Sequence, residues 1–486
     1  PAAAAGPQGW TPRIRPAHYH AALQRIRTHL AAGDTYQVNY TFPLDAPFAG
    51  DPAAWFATLD AAQPAAYSAY LDLGRFAVCS VSPECFFTLE GHQLTSRPMK
   101  GTRPRGRNTA HDTAVARELA ACEKERAENV MIVDMVRNDL GRVCRAGSVH
   151  VPELFAVERY DTVWQMTSTV RGHCDAPLDE IFAALFPCAS VTGAPKVETM
   201  RIIRALEGAA RGAYCGAIGW VGPGRQAAFS VGIRTATIDR EAGRATYPVG
   251  SGVTWDSRTE AEYEECLSKA VVVRRPRPAF QLLETLRYEA GFARLEGHLA
   301  RLQQSAEYFG YACDPARVRD ALTSATAPLD GGTWRVRLLL ARDGTSTVET
   351  HPHEDGPAWR LGLAPQPVDP DDPFLYHKTT HRVVYQAALA SRPDCDDVLL
   401  YTPDGHLTET CLGNVVLDIG GRLLTPPVTQ GLLAGVMRSA LLAEGRVAEA
   451  PLTLDDLEHA RGVYVCNSVR GLRTVHFVRT VHFVKK

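Results

Sequence analysis

The chain has 486 residues, 45% hydrophobic and 22% charged, with a formal net charge of −2 and a pI near 6.8. That length supplies two or more full cores, and the near-neutral balance excludes a global electrostatic pull toward nucleic acid or a membrane surface. No apolar run approaches the roughly 20 residues needed to span a bilayer. The 12 cysteines fall singly, several inside apolar runs such as Val78-Cys79 and Val465-Cys466, with no Cys-x-x-Cys pair. This points to reduced, buried thiols in the cytoplasm rather than to disulfides or structural zinc.

Residues 1–17 read as a linker or trimmed start, since Pro1 to Pro7 lacks a basic region followed by an apolar one. His18 to Leu30 then has helical spacing, and residues 35–42 alternate as a strand. Three strand runs follow over residues 76–84, 85–89 and 93–97. They lead into Arg97 to Gly106, which sets Lys100 in a turn that is otherwise Gly, Pro and cationic. Near Glu84 and beside several arginines, Lys100 has two readings: a nucleophile with a lowered pKa, or a solvated surface lysine. Taken alone, the segment favours the second.

Residues 109–141 predict one long helix stopped at Gly141, with Glu125 and Glu128 three apart on one face. Strands are expected over 148–152 and 163–171, and a short helix over 179–186. The turn Thr192-Gly193-Ala194-Pro195 opens a predicted helix over 197–210, whose free N–H groups offer an anion seat. Strands over 214–221, 227–238 and 244–253 precede a helix over 259–270 that carries Glu262 and Glu265. Long strands between tight Gly turns, with helices alongside, predict an α+β arrangement of antiparallel meanders. Two Glu-x-x-Glu helices supply the oxygen ligands that Mg2+ requires, and read alone they are equally ordinary acidic faces.

Ser82-Pro83-Glu84, Lys100 to Gly106, Arg126 to Leu140, Ser190 to Lys196, Tyr214 to Gly219, Ile233-Arg234-Thr235 and Glu260 to Ala270 occur in one consistent order. With these blocks, residues 18–271 resemble the chorismate-utilising enzymes, a family holding anthranilate, aminodeoxychorismate, isochorismate and salicylate synthases. The resemblance implies that Glu128 and Glu265 coordinate Mg2+ directly, and Glu125 and Glu262 through water, so that the ring carboxylate of chorismate is neutralised. It implies that Arg234 and backbone N–H groups around Gly250 and Gly252 hold the enolpyruvyl carboxylate, with Thr192 and Tyr214 beside the substrate. Glu84 resembles the family's general acid for the C4 hydroxyl. Lysine at the position of Lys100 marks members thought to attack C2 covalently on the way to 4-amino-4-deoxychorismate, whereas anthranilate synthases usually carry Ala there. Isochorismate-forming members place a lysine where this chain has Gln37. Two departures are Trp164, where the family often has His, and Pro187-Cys188-Ala189-Ser190 in place of Pro-Gly-Gly-Ser.

A basic, Pro-interrupted linker over 272–279 precedes a second domain expected over 280–475. A strand at 280–287, an amphipathic helix at 298–310, a strand at 334–341, and the later blocks His377 to Tyr385, Asp397 to Tyr401, Leu407 to Val416 and Gly431 to Arg438 resemble fold-type IV pyridoxal-phosphate enzymes, also α+β. On that resemblance Lys378 is the Schiff-base lysine, and Glu409 pairs with the pyridine nitrogen. Arg301, the N–H groups of Val436 and Met437, and Ser468 would bind the phosphate. The two halves together imply amination of chorismate and then loss of pyruvate to give 4-aminobenzoate, a folate precursor. The alternative is anthranilate-synthase-like amination joined to an aminotransferase domain. No glutaminase segment is recognisable, so ammonia is expected from a separate glutamine amidotransferase subunit or from free ammonium, and a homodimer through the second domain is a further expectation. The tail over 476–486 completes a repeat of Arg473 to Val478 in Arg479 to Val484, which has no functional reading.

Overall fold

A computed structural model of the chain describes residues 6–274 and 278–478. It divides into two units, residues 1–105 with 115–278, and residues 106–114 with 279 onward. The first unit is built from two seven-stranded antiparallel sheets. In one sheet the order is Thr11–Pro12, Gln37–Pro47, Arg244–Val253, Thr235–Asp239, Phe76–Ser82 and Tyr67–Leu73, with Gly193–Ala194 also on Gln37–Pro47. The helix Pro16–Ala32 packs against it through Tyr19, Leu23 and Ile26, which recur at helical spacing. Trp10, in the expected linker, is buried there against Trp55 and Tyr247, with ring centroids 6.2 and 6.1 Å away.

The other sheet runs Ala217–Gly222, Gln226–Val231, Cys85–Glu90, Gln93–Arg97, Val163–His173 and Met99–Pro104, with His150–Arg159 also on Val163–His173. The expected long helix is two helices, Thr109–Ala121 and Glu123–Gly141, broken where Cys122 takes extended backbone (φ −69°, ψ 110°). No Gly or Pro announces that break, so local propensity runs straight through it. Ile132, Val133, Val136 and Leu140 form one helical stripe buried against Phe86, Phe87, Leu94 and Val170. Each such side chain contributes about 1.5–3 kcal/mol by leaving water, which fixes the helix and its two glutamates over this sheet.

A second correction matters more for function. The strand expected over 227–238 is two strands in different sheets, Gln226–Val231 and Thr235–Asp239, and Arg234 between them has φ +51°. A Cβ on Gly232 would lie 2.4 Å from the Ala213 carbonyl oxygen, so the chain turns there at a glycine. Phe76–Ser82 passes to Cys85–Glu90 across the same boundary at Pro83-Glu84. The crossings lie side by side: Val231 N donates to Glu84 O (3.1 Å), and Val81 N donates to Arg234 O (3.1 Å).

In the second unit, Leu282–Tyr288, Trp334–Leu340 and Ser346–Pro352 form an antiparallel sheet whose core includes Leu302, Phe309, Val318 and Leu322. A four-stranded sheet orders Leu407–Thr410, Asp397–Tyr401, Arg360–Leu363 and His476–Phe477. A five-stranded sheet orders Ala448–Glu449, Arg422–Thr425, Asn414–Ile419, Gly462–Asn467 and Gly471–Thr474. The block Leu407 to Val416 is thus shared between two sheets, the chain crossing from one to the other just after Thr410. His476 and Phe477, expected in the tail, pair in parallel with Arg360 and Leu361; the second repeat copy lies outside the described residues. All 12 cysteines are free, and no helix among the described residues is long and apolar enough to cross a membrane.

Two candidate active sites

Lys100 lies on Met99–Pro104, where the pairing with Val163–His173 shifts register between Met99 and Thr102. A bulge of this kind re-aims a side chain. Gly101 (φ +87°) is part of it, and a Cβ there would come within 3.2 Å of Glu125 Cβ and 3.3 Å of Met166 Cβ. The absent side chain lets the helix Glu123–Gly141 approach the lysine strand. Opposite, a Cβ on Gly252 would lie 2.9 Å from both Lys100 Nζ and Gln37 Nε2, so the ammonium and the amide share one space over a bare backbone. Lys100 is partly exposed, yet desolvation around its ammonium lowers the pKa, aided by Lys269 and opposed by Glu128, Glu84 and Glu265. Glu84 is buried, and its Oε1 has no hydrogen-bond partner. Burial pushes its pKa up to about 7, with the Ser190 hydroxyl and Lys100 holding it back.

Three of the four helix glutamates have a cation beside them. Arg103 Nη1 donates to Glu125 Oε1 (2.7 Å), Lys269 Nζ lies 2.7 Å from Glu265 Oε1, and Lys124 Nζ is 3.9 Å from Glu128. Burial raises the Glu128 pKa, Lys100 opposes the rise, and the charges of Glu125 and Glu262 add to it. Like charges from two helices thus crowd one carboxylate, which a divalent cation would relieve, and an all-oxygen donor set suits Mg2+. By donor type the residues present suit that ion, with their oxygens set wider apart as a group than 4.8 Å.

Lys269 was not singled out by the sequence, although its position four residues after Glu265 offers a signal. Its Nζ donates to Gly250 O (2.8 Å), and Arg234 Nη1 donates to its carbonyl (2.8 Å). One lysine therefore joins the glutamate helix, the Gly250 strand and Arg234. Thr235–Asp239 pairs with Arg244–Val253 only through Arg244 to Thr246 among the described residues, while the other edge pairs with Gln37–Pro47 throughout. Beyond Thr246 the first edge is open, and its N–H groups around Gly250 and Gly252 stay available to an anion. Thr192 and Tyr214 are buried; the Thr192 hydroxyl donates to Cys188 O (3.1 Å) inside its own turn. The expected anion seat is stitched to the sheet instead: Gly193 pairs with Val38, and Lys196 Nζ at the helix start donates to Asp139 Oδ2 (2.6 Å).

The second unit holds a cavity of about 360 Å³ lined by Lys378, Glu409, Arg301, Val436, Met437 and Ser468, all six residues expected at the cofactor. Burial pushes the Lys378 pKa down to about 8, and Arg301 and Arg382 add to the shift. Glu409 sits where the chain changes sheets, with Tyr385 OH donating to Oε1 (2.7 Å); burial pushes it up to about 7. Gly435 caps the helix Val436–Ala443, and a Cβ there would lie 1.9 Å from Asn414 Oδ1, so the helix start is bare backbone facing the cavity. Arg301 also serves an unforeseen partner: Nε and Nη2 donate to Glu284 Oε1 and Oε2 (2.8 and 2.6 Å), and His298 Nδ1 is 2.7 Å from Glu284. Burial opposes ionisation of Glu284, yet Arg301 and His298 hold its pKa to about 2. The signal for this cluster is only the three-residue spacing of His298 and Arg301. A cavity with one lysine, one buried acid and a bare helix start fits pyridoxal phosphate.

Residues 1–275 match the chorismate binding enzyme family, and residues 281–478 match the class IV amino-transferases. The chain belongs to the chorismate binding enzyme family. Its relatives within that family include aminodeoxychorismate synthase component 1 of Bacillus subtilis, 41% identical over 259 residues, which are 53% of this chain and 55% of that protein. Anthranilate synthase component 1 of Streptomyces coelicolor is 40% identical over 268 residues, covering 54% and 52%. Among solved structures, anthranilate synthase component I of Streptococcus pneumoniae superposes with a TM-score of 0.51 at 30% identity, over 55% of this chain and 60% of that one. The chain thus spans about half the length of the curated relatives it matches. Near-equal identity to both kinds of synthase leaves the choice of product to individual side chains.

Proposed function

We propose that the first unit converts chorismate and ammonia to 4-amino-4-deoxychorismate, and that the second removes pyruvate from it to give 4-aminobenzoate. The observation that carries this reading is Lys100 Nζ beside Gln37 over the bare backbone of Gly252, with Glu84 electrostatically coupled to it. Arg234 and the open strand edge bind the enolpyruvyl carboxylate, and Glu125, Glu128, Glu262 and Glu265 would hold Mg2+. That ion supplies positive charge for the ring carboxylate and makes the ring more electrophilic. Lys100 Nζ forms a bond to C2, the two ring double bonds each move one position, and the C4–O bond breaks as Glu84 gives its proton to the departing hydroxyl. Ammonia then bonds to C4, the double bonds return, and the C2–Nζ bond breaks with Lys100 leaving as the amine. The balance is exchange of hydroxyl for amino with release of water.

In the second unit Lys378, Glu409, Arg301, Ser468 and the N–H groups of Val436 and Met437 would hold pyridoxal phosphate, which supplies an electron sink for the C4 amino group. Lys378 Nζ takes the C4 proton, and the C3–O bond breaks to release enolpyruvate as the ring becomes aromatic. Arg335, Arg337 and Arg470 also line the cavity and suit a dicarboxylate substrate. Ammonia comes from a separate glutamine amidotransferase, in keeping with relatives named as component 1. The test is to supply chorismate, Mg2+ and ammonium and follow products by mass. 4-Amino-4-deoxychorismate and 4-aminobenzoate are expected; 2-aminobenzoate or isochorismate would overturn the reading.

The pH profile carries a separate expectation. A general acid must hold its proton, so amination should decline as pH rises through about 7, where Glu84 ionises. Glu84→Gln should cost about 10²–10⁴-fold in kcat and remove that alkaline limb. A variant that kept the limb would assign it to another group.

A further inference from the structure

The turn between Cys85–Glu90 and Gln93–Arg97 carries His92, and the strand Val163–His173 ends on His173, two residues before Asp175. Gln93 pairs with His173, so these three side chains meet at one end of the second sheet. His92 Nδ1 is 2.8 Å from Asp175 Oδ1, and His173 Nε2 is 3.4 Å from the same oxygen. The imidazole rings stack with centroids 5.1 Å apart and planes 4° from parallel. One ligand atom from each residue lies within 4.8 Å of the other two, which holds for no other group of three such side chains among the described residues. The glutamate quartet over Lys100 does not meet that spacing.

The cluster stands on a braced backbone. Arg225 donates to the carbonyls of Gly91, Cys174 and Ala176 (2.9, 3.1 and 3.0 Å), and Cys174 N donates to His92 O (2.8 Å). Arg145 Nε donates to Asp175 Oδ2 (2.6 Å), which leaves Oδ1 to the histidines. His173 Nε2 is screened from solvent and makes no hydrogen bond. Two imidazole nitrogens and a carboxylate oxygen are donors for borderline divalent ions such as Zn2+ and Ni2+, whereas Mg2+ prefers oxygen alone. A fourth position is left for water.

We propose that His92, His173 and Asp175 form a surface site for one divalent transition-metal ion, which clamps the His92 turn to the end of Val163–His173. Met99, next to Lys100, pairs with Thr167, six residues before His173, so the site lies roughly 20 Å from the lysine at about 3.4 Å per residue. It is separate from the carboxylate site and acts on the sheet rather than on substrate.

The test is equilibrium dialysis of the full chain against NiCl2 in excess MgCl2, with bound nickel counted by mass spectrometry. The wild type should bind one more Ni2+ per chain than His92→Gln or His173→Gln, each of which should weaken that site at least about 10-fold. Ni2+ should also raise the thermal midpoint of the wild type and not of the variants, while unliganded midpoints stay close because both rings are substantially exposed. Equal nickel binding by the wild type and either variant would overturn the proposal.

Discussion

On the proposed reading, Lys100→Ala should lose synthesis of 4-amino-4-deoxychorismate, by at least about 10³-fold in kcat, while pyruvate release from supplied 4-amino-4-deoxychorismate should continue at the wild-type rate. The size follows from removing a group that makes and breaks a bond rather than one that merely binds. Alanine leaves the Gly252 backbone and Glu84 in place, and the position lies on a strand of the second sheet, so the fold has no reason to fail. A second measurement isolates the covalent step. Wild-type protein denatured after exposure to chorismate and Mg2+ without ammonia should carry an added mass equal to chorismate less water, and the variant should not. Synthesis at an undiminished rate in Lys100→Ala would mean that ammonia attacks without the lysine.

Lys378→Ala should give the complementary result: 4-amino-4-deoxychorismate should accumulate from chorismate and ammonium, and 4-aminobenzoate formation should fall by at least about 10³-fold. The absorbance of lysine-bound pyridoxal phosphate should vanish with it. Lys378 is the cavity's lysine, and its pKa near 8 already favours the neutral amine more than an exposed lysine would. Pyruvate release without any keto acid separates a lyase from an aminotransferase, since the latter would return the amino group only to an added acceptor. Dependence on a keto acid would therefore overturn the assignment of the second unit.

The candidate residues of both sites were legible because their types and spacings are local. Glu125 with Glu128 and Glu262 with Glu265 stand three apart on strong helix formers, and Lys378, Glu409 and the Gly435-Val436-Met437 helix start keep their order along the chain. Lys269 and Glu284 were not legible as site residues. Each acts through partners distant in sequence, Gly250 and Arg234 for the one and His298 and Arg301 for the other. The broken helix at Cys122 and the strand split at Gly232 to Arg234 leave no local signal for the same reason: propensity is continuous across both points, and only packing distinguishes the two sides.

By itself, then, the sequence determined that this is an α+β chain carrying two ordered groups of candidate site residues, and that a lysine rather than an alanine stands at position 100. Those facts reside in residue identity and spacing, which folding does not alter. Only the tertiary structure decided that Glu84 and Arg234 sit on adjacent crossings between two sheets, that Gly101 and Gly252 clear space around Lys100, and that Arg301 shares its guanidinium with Glu284. The physical reason is that a strand period describes which face a side chain takes, but says nothing of where a chain leaves one sheet for another. At those departures the ladder is interrupted, backbone groups come free, and the polar side chains gather.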